Sequence, residues 1–196
     1  MSALPPAAGA VLDFWFGAPE TPEHGRPRAA WWRKDAAFDA DVAARFGGLV
    51  EQALGGAFSE WSAAPRSALA RVLLLDQFTR NAFRGTPRAF AGDAQALAAA
   101  RAMVAAGLDR ALPPLERAFV YLPFEHAEDL AMQDEAVRRF TALHAEAPEV
   151  ADMLDYAHRH REVIRRFGRF PHRNAVLGRA CTPQESAFLR EPGSSF

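Results

Sequence analysis

LARVLLLDQFTRNAFRGT, the stretch of residues 69–86, begins as a strongly apolar helix and ends in a group of polar side chains. Its four consecutive apolar residues at 72–75 would cover every side of a helix, which predicts a central helix surrounded by other elements. Asp76 and Arg80 continue the same helical pattern, one turn apart. Because a buried carboxylate is costly unless it is paired, we expect Asp76 and Arg80 to form an ion pair at the end of this helix.

The rest of the chain also favours helix over strand. Ala, Leu, Arg and Glu are abundant, Ile164 is the one isoleucine, and no segment sustains an alternation of apolar and polar residues. Capping and stop signals divide the chain into about eight or nine helices joined mostly by short loops. We predict helices at about 8–16, 38–53, 65–81, 87–108, 114–122, 123–144, 148–167 and 183–189. The prediction is a single all-helical domain over residues 1–196.

The composition argues against several classes of protein. The formal net charge of −1 provides no basic surface for nucleic acid, and no run approaches the roughly 20 apolar residues of a membrane span. The first residues of the chain lack the basic segment of a secretion signal, and Cys181 is the only cysteine. We therefore predict a cytoplasmic protein that binds neither nucleic acid nor membranes. The sequence does not indicate its oligomeric state.

Polar residues interrupt the apolar faces of three predicted helices. These residues are Asp76, Gln77 and Arg80 in the central helix, His126 and Gln133 in the helix over 123–144, and His160 in the helix over 148–167. Taken alone, each is more often a satisfied structural group than a functional one. If they meet between the helices, however, they form a polar pocket, which is a common ligand site in helical proteins.

A second feature is the arginine-rich segment near the C-terminus. Residues 159–179 contain seven Arg and a single acidic residue, Glu162. Its loop at 169–174 combines arginines with His172 and Asn174, and such donors can converge on a carboxylate or a phosphate. A solvated basic face that caps the C-terminal ends of helices is the alternative interpretation.

The sequence contains no recognisable metal or cofactor motif. A di-iron helical bundle needs Glu-x-x-His pairs, and the chain has neither that spacing nor a His-x-x-x-His pair. No Gly-rich phosphate loop follows a predicted strand, since no strand is predicted. We therefore predict neither a metal nor a cofactor.

Four groups of residues along the chain form a recognisable series of motifs. They are VLDFWFG at 11–17, LDQFTRN at 75–81 with FRGT at 83–86, YLP at 121–123 with EHAE at 125–128, and FGRFPHRN at 167–174 with LGR at 177–179. Together they resemble an uncharacterised, largely bacterial family catalogued as domain of unknown function family 924. The resemblance implies an all-α, tetratricopeptide-like fold, a right-handed stack of antiparallel helical hairpins. It implies no known reaction, substrate or catalytic residue. Ala127 stands where the family pattern has Ser, which argues against a hydroxyl nucleophile at that position.

Our preferred hypothesis is a helical-repeat module that binds an anionic small molecule or an acidic peptide. Arginines would hold the anion, asparagines would orient it, and neighbouring aromatic side chains would pack against its apolar part. The predicted ligand-binding residues are Arg80, Asn81, His126, Arg169, His172, Arg173 and Asn174.

Two alternatives remain open. In the first, the chain is a hydrolase-like enzyme acting on an anionic substrate, with His126 or His160 as general base and Asp76 or Glu128 orienting it. In the second, the chain is purely structural, and its motifs cap helices and brace the bundle through ion pairs.

Overall fold

The computed structural model describes residues 3–194, which form helices joined by short turns. The α-helices are α1 (Pro6–Phe16), α2 (Ala36–Leu54), α3 (Pro65–Leu73), α4 (Thr79–Ala82), α5 (Asp93–Ala105), α6 (Pro114–Glu125), α7 (Leu130–Glu146), α8 (Ala151–Phe167) and α9 (Pro183–Phe188). Short 3-10 helices lie at Ala29–Trp31, Ser59–Ala63, Pro87–Phe90, Asp109–Ala111, Pro148–Val150 and Pro171–Arg173. Residues 3–194 contain no strand, which confirms the all-α class. In the same range, no helix is long and apolar enough to cross a membrane.

The central helix is as buried as its sequence predicts. α3 continues through a π-helical segment, Leu74–Phe78, into α4, so the chain is helical from 65 to 82. All four apolar residues at 72–75 have no exposed surface. α3 packs against α1, α5 and α6, which surround it. The π-helical turns were not predicted, because an apolar run gives no sign of where the hydrogen-bond register widens.

Local sequence signals fix several helix ends. Thr182 and Glu185 form a reciprocal capping box at the start of α9, and Asp35 accepts hydrogen bonds from the first backbone N–H groups of α2. Gly168 ends α8 in the left-handed conformation, with φ of 69°, which glycine adopts without steric cost. These ends agree with the predicted boundaries to within a few residues.

The predicted boundary at Pro123 is wrong. Pro123 lies inside α6 rather than at the start of the next helix. A proline usually marks the first turn of a helix, but here buried neighbours such as Leu122 and Phe124 hold the chain helical through it. α7 begins instead at Leu130, after a cap by Asp129.

Because α6 extends to Glu125, two polar residues that the sequence pattern puts in one helix lie in different elements. His126 is the C-terminal cap of α6, whereas Gln133 lies one turn inside α7. The predicted helix over 87–108 is also shorter than expected, because Pro87–Phe90 is a separate 3-10 turn and α5 begins at Asp93.

The larger core contains the central helix together with apolar residues of α1, α2 and α5 to α8. α7 packs against both α6 and α8, so consecutive helices are neighbours there. A smaller cluster of Val163, Ile164 and Phe170 lies where α8 meets the C-terminal loop. The tetratricopeptide-like stacking and the single-domain organisation stay predictions.

Candidate functional site

The π-helical segment presents two backbone carbonyl groups to side chains. Thr79 donates a hydrogen bond from Oγ1 to the carbonyl oxygen of Leu75 at 2.7 Å, and Arg80 donates from Nη1 to that of Asp76 at 2.7 Å. Single π-helical turns occur frequently at functional sites. In this protein the polar residues that follow the apolar run satisfy the irregular backbone and also build the site.

Asp76 is the buried centre of the site. It has no exposed surface, and its Oδ1 lies 2.7 Å from Nδ1 of His126 and 3.1 Å from Nη1 of Arg80. Gln77 donates from Nε2 to its Oδ2 at 2.6 Å. Burial raises the pKa of Asp76, but Arg80 and His126 outweigh that effect and hold the pKa well below its usual range. Asp76 is therefore ionised at neutral pH, and the predicted pair with Arg80 is present.

His126 donates a hydrogen bond to this carboxylate. Burial and the charge of Arg80 lower the pKa of His126, although Asp76 raises it, so the imidazole is neutral at neutral pH. Because the ionised Asp76 can only accept, the proton lies on Nδ1 of His126. Nε2 then carries a free lone pair, and no group within residues 3–194 forms a hydrogen bond with it.

Asp93 joins two arginines beside this pair. It accepts from Nη1 and Nη2 of Arg80 at 2.9 and 3.2 Å, and from Nη1 of Arg173 at 3.0 Å. Arg173 also donates from Nη2 to the carbonyl oxygen of His126 at 3.1 Å. Burial and the neighbouring Arg80 lower the pKa of Arg173 to about 10, so its guanidinium remains charged at neutral pH.

A cavity of about 400 Å³ opens beside His126. Its polar wall includes Asp93, His126, Glu128 and Arg173. Its other walls are mostly apolar, formed by Pro87, Phe90, Ala91, Ala94, Leu97, Pro123, Ala127 and Leu177. The volume lies within the range of small-molecule sites in proteins, roughly 300–1,000 Å³.

The second predicted base, His160, lies next to the cavity but does not line it. Its Nδ1 is 2.9 Å from Oε1 of Glu125, and its ring centroid is 6.2 Å from that of His126. Glu128, the second predicted orienting carboxylate, accepts hydrogen bonds from Arg179 at 2.6 and 2.9 Å and from the backbone N–H of Phe170. Glu128 therefore binds Arg179 and Phe170 rather than orienting His126.

Four predicted ligand-binding residues lie outside the cavity wall. Asn81 donates to Asp39 at 2.7 Å, on the side of α2. Arg169 and Asn174 both bind Glu185 of α9 and so tie down the C-terminal loop. His172 lies near the ring of Phe170, and burial followed by the charge of Arg173 lowers the pKa of His172 to about 3. Of the seven residues predicted to bind a ligand, His126 and Arg173 line the cavity, and Arg80 lies behind it.

No sequence pattern singles out Asp93, Phe90 or Leu177 as site residues. Asp93 is an acidic residue in the first turn of a helix, where such residues are common. It is 13 residues from Arg80 and 80 residues from Arg173, so only the folded chain joins them. Within residues 3–194, no group of three or more His, Cys, Asp or Glu side chains is arranged to hold a metal ion.

Comparison with known proteins finds two matches. The family model described as "Bacterial protein of unknown function (DUF924)" matches residues 11–193. The solved structure of a protein of unknown function from Agrobacterium tumefaciens is 39% identical in sequence and has a TM-score of 0.79, over 93% of this chain and 96% of that one. No curated protein matches the chain. The similarity extends over nearly the whole chain and brings no reaction or ligand with it.

Proposed function

Since this chain belongs to DUF924, a bacterial family of unknown function, we propose its function from the geometry of the cavity alone. The chain binds a small molecule beside His126, and His126 acts as the general base in a reaction of that molecule.

The observation that carries this proposal is the 2.7 Å contact between Oδ1 of Asp76 and Nδ1 of His126. A general base needs a free lone pair, a fixed orientation and access to its substrate. The buried carboxylate fixes the ring and its tautomer and occupies Nδ1, and His126 lines the cavity, so Nε2 is the ring nitrogen left to act as the base. The lowered pKa of His126 keeps that nitrogen unprotonated at neutral pH.

Water is the nucleophile in this proposal. None of the described residues that line the cavity carries a hydroxyl or a thiol, and Ala127 occupies the position where the family pattern has Ser. His126 would take a proton from a water molecule as the water oxygen attacks the substrate. The reaction class is therefore hydrolysis.

The test is an assay of the purified protein on 4-nitrophenyl esters, whose hydrolysis releases a coloured product. We expect His126→Gln to lower kcat/KM by at least about 100-fold, the usual contribution of a general base. His158→Gln is the matched control, because His158 is exposed on α8 and should leave the rate unchanged. Equal rates for the wild type and His126→Gln would refute the proposal.

Binding without turnover is a second candidate, and it retains the anionic ligand predicted from the sequence. The observation in its favour is that Nε of Arg173 is buried with no hydrogen-bond partner within residues 3–194. A small phosphate or carboxylate is the ligand of this candidate, since a cavity of about 400 Å³ suits a small molecule better than an acidic peptide. It predicts a thermal shift with small anions that Arg173→Ala abolishes, and no His126-dependent turnover.

A structural role is a third candidate, favoured by the pairing of Arg80, Arg173 and Arg179 with carboxylates. Under this candidate His126→Gln lowers the melting temperature and no small molecule raises it. A saturable response to a ligand in the wild-type protein would therefore exclude a purely structural cluster.

A further inference from the structure

The charged residues that line the cavity and those directly behind them balance, which limits the ligands that the cavity can hold. Asp76 pairs with Arg80, Asp93 pairs with Arg80 and Arg173, and Glu128 pairs with Arg179. His126 adds no charge at neutral pH, because its pKa is lowered. Three carboxylates thus match three guanidinium groups. Among residues 3–194, an anionic ligand would find no unmatched positive charge at this wall.

Arg173, which lines the cavity, also packs against two aromatic rings. Its guanidinium carbon lies 4.7 Å from the ring centroid of Phe90 and 4.6 Å from that of Phe170. Its Nη1 and Nη2 already donate to Asp93 and to the carbonyl oxygen of His126. Only 7% of the side chain is exposed, so a ligand carboxylate could not form a bidentate pair without breaking these contacts.

The rest of the cavity favours an apolar group. Phe90, Leu97 and Leu177 line it, together with two prolines and three alanines. Apolar walls bind a ligand by removing its apolar surface from water, and each methylene buried in this way contributes roughly 0.8 kcal/mol, which is about a fourfold gain in binding. A ligand that carries both an apolar group and a bond to be hydrolysed fits these walls and His126 together.

On the premise of the general-base function above, we propose that the substrate is a neutral ester whose short apolar acyl group lies against Phe90, Leu97 and Leu177, with its carbonyl carbon beside Nε2 of His126. An ester suits this base better than an amide does. A histidine whose pKa lies below the ordinary 6.5 is a weak base, and an alkoxide leaves more readily than an amine anion.

The hydrolysis step balances with water as the only co-reactant. The water oxygen forms a bond to the acyl carbon while its proton passes to Nε2 of His126. The bond between the acyl carbon and the ester oxygen then breaks, and the proton on Nε2 passes to the leaving oxygen. The products are an alcohol and a carboxylic acid, which ionises at neutral pH. Because the wall offers no unmatched positive charge, the anionic product is released rather than retained.

Ligand class is tested separately from turnover, with a matched pair of probes. Hexanamide is neutral and hexanoate is anionic, and the two have the same six-carbon chain. We expect hexanamide to raise the melting temperature in a saturable way and hexanoate to bind at least 10-fold more weakly. Leu97→Trp should abolish the shift with hexanamide by filling the cavity, whereas Leu130→Trp, at a site on α7 that is 43% exposed, should leave it unchanged.

Turnover is then measured with 4-nitrophenyl acetate, butanoate and hexanoate. We expect kcat/KM to rise about fourfold for each added methylene, and we expect Leu97→Ala to flatten that rise while His126 still carries the reaction. Tighter binding of hexanoate than of hexanamide, or no saturable shift with either probe, would overturn the ligand class. Binding of hexanamide without His126-dependent hydrolysis would leave the ligand class standing and overturn the general-base function instead.

Discussion

A single buried carboxylate sets the protonation state of the site. Asp76 would be neutral in an apolar interior, but Arg80 and His126 both favour its ionised form. The ionised carboxylate in turn fixes the tautomer of His126, as carboxylates do for histidines in many enzymes. The reactive nitrogen of the proposed base is thus chosen by a residue that the cavity does not reach.

Replacing Asp76 should destabilise the protein. Asp76→Asn leaves Arg80 with one carboxylate partner instead of two inside the fold, and breaking a buried ion pair typically costs about 3–5 kcal/mol. We expect a loss in the free energy of unfolding of about 3 kcal/mol, measured by urea denaturation. Glu162→Gln is the control, because its pair with Arg165 is exposed on both sides and should leave the urea midpoint unchanged. Equal effects of the two substitutions would contradict the importance of the buried pair.

The protonation state of His126 can be observed directly. We expect ¹⁵N NMR to detect a neutral ring with its proton on Nδ1 at pH 6, where more than half of ordinary histidines are protonated. Asp76→Asn should remove the preference for the Nδ1 tautomer, because an amide can donate to the ring as well as accept from it. A His126 ring that is fully protonated at pH 6 would contradict this account and would weaken the proposed base.

At this scale the sequence predicts only local partners. The pair of Asp76 with Arg80 follows from their spacing of one helical turn. The contact of Asp76 with His126 spans 50 residues, and no periodicity encodes it. The coincidence of polar residues on buried faces indicated only that a polar pocket would form if these groups met. It could not identify Asp93 as the carboxylate that joins the two arginines.

Among the helices, the approach of the α5 N-terminus to the π-helical segment holds the site together. A Cβ atom at Gly92 would lie 2.1 Å from the carbonyl oxygen of Leu75 and 2.9 Å from its carbonyl carbon. Gly92 immediately precedes Asp93, so the lack of a side chain brings this carboxylate close to Asp76 and Arg80. Only glycine permits such a close approach of two backbone segments.

Gly92→Ala should therefore be among the most damaging single substitutions in the chain. The added methyl group must push α5 away from the central helix, and we expect a loss of at least about 3 kcal/mol in the free energy of unfolding. Gly48→Ala is the matched control, because that glycine is exposed within α2 and nothing lies within 4 Å of its added Cβ. There we expect a gain of about 0.5–1 kcal/mol. Thermal unfolding of both variants measures the contrast, and a tolerated Gly92→Ala would show that the two helices can separate freely.

Helix boundaries were predictable where the signal is local. The capping box at Thr182 and the glycine stop at Gly168 are read from adjacent residues, and both are present. The local signal at Pro123 is misleading, because proline usually lies in the first turn of a helix, whereas here the burial of its neighbours keeps it inside α6. The π-helical segment depends on contacts with α5 and on the side chains of Thr79 and Arg80, which the helical period of the sequence does not encode.

Over the whole molecule, charge is organised by pairing rather than by sign. The formal net charge is −1, yet the arginines of the C-terminal loop bind carboxylates of distant elements, as Arg179 does with Glu128 and Arg173 with Asp93. The all-α class was predictable because helix-forming composition is a property of the entire chain. The ion pairs were not predictable, because a cluster of arginines in a sequence does not indicate whether the fold or a ligand supplies the anions.

Buried neutral histidines and paired carboxylates make the free energy of unfolding of the whole molecule sensitive to acid. Burial lowers the pKa of His126 and lowers that of His172 to about 3, so both rings stay neutral in the folded state. In the unfolded chain a histidine has a pKa near 6.5. Below that pH the unfolded chain binds protons that the folded chain does not, so the free energy of unfolding falls as the pH falls. Carboxylates with lowered pKa values, such as Asp76 and Glu128, lose their contribution in the same direction below about pH 4.

The free energy of unfolding should accordingly be highest above pH 6.5 and decrease by up to about 1.4 kcal/mol per pH unit for each of the two histidines as the pH is lowered. The charged and titratable groups that act on His172 are Arg173, His160, Glu128 and His126. Because the cause is the uncharged state of buried rings, the double variant His126→Asn/His172→Asn should have a shallower slope between pH 6.5 and 5 than the wild type.

Urea denaturation at half-unit pH steps measures both slopes, and His158→Asn, on the exposed face of α8, should leave the wild-type slope unchanged. An identical slope in the double variant would mean that the folded protein protonates these rings as readily as the unfolded chain does, and the neutral imidazole required of a base at His126 would then be lost.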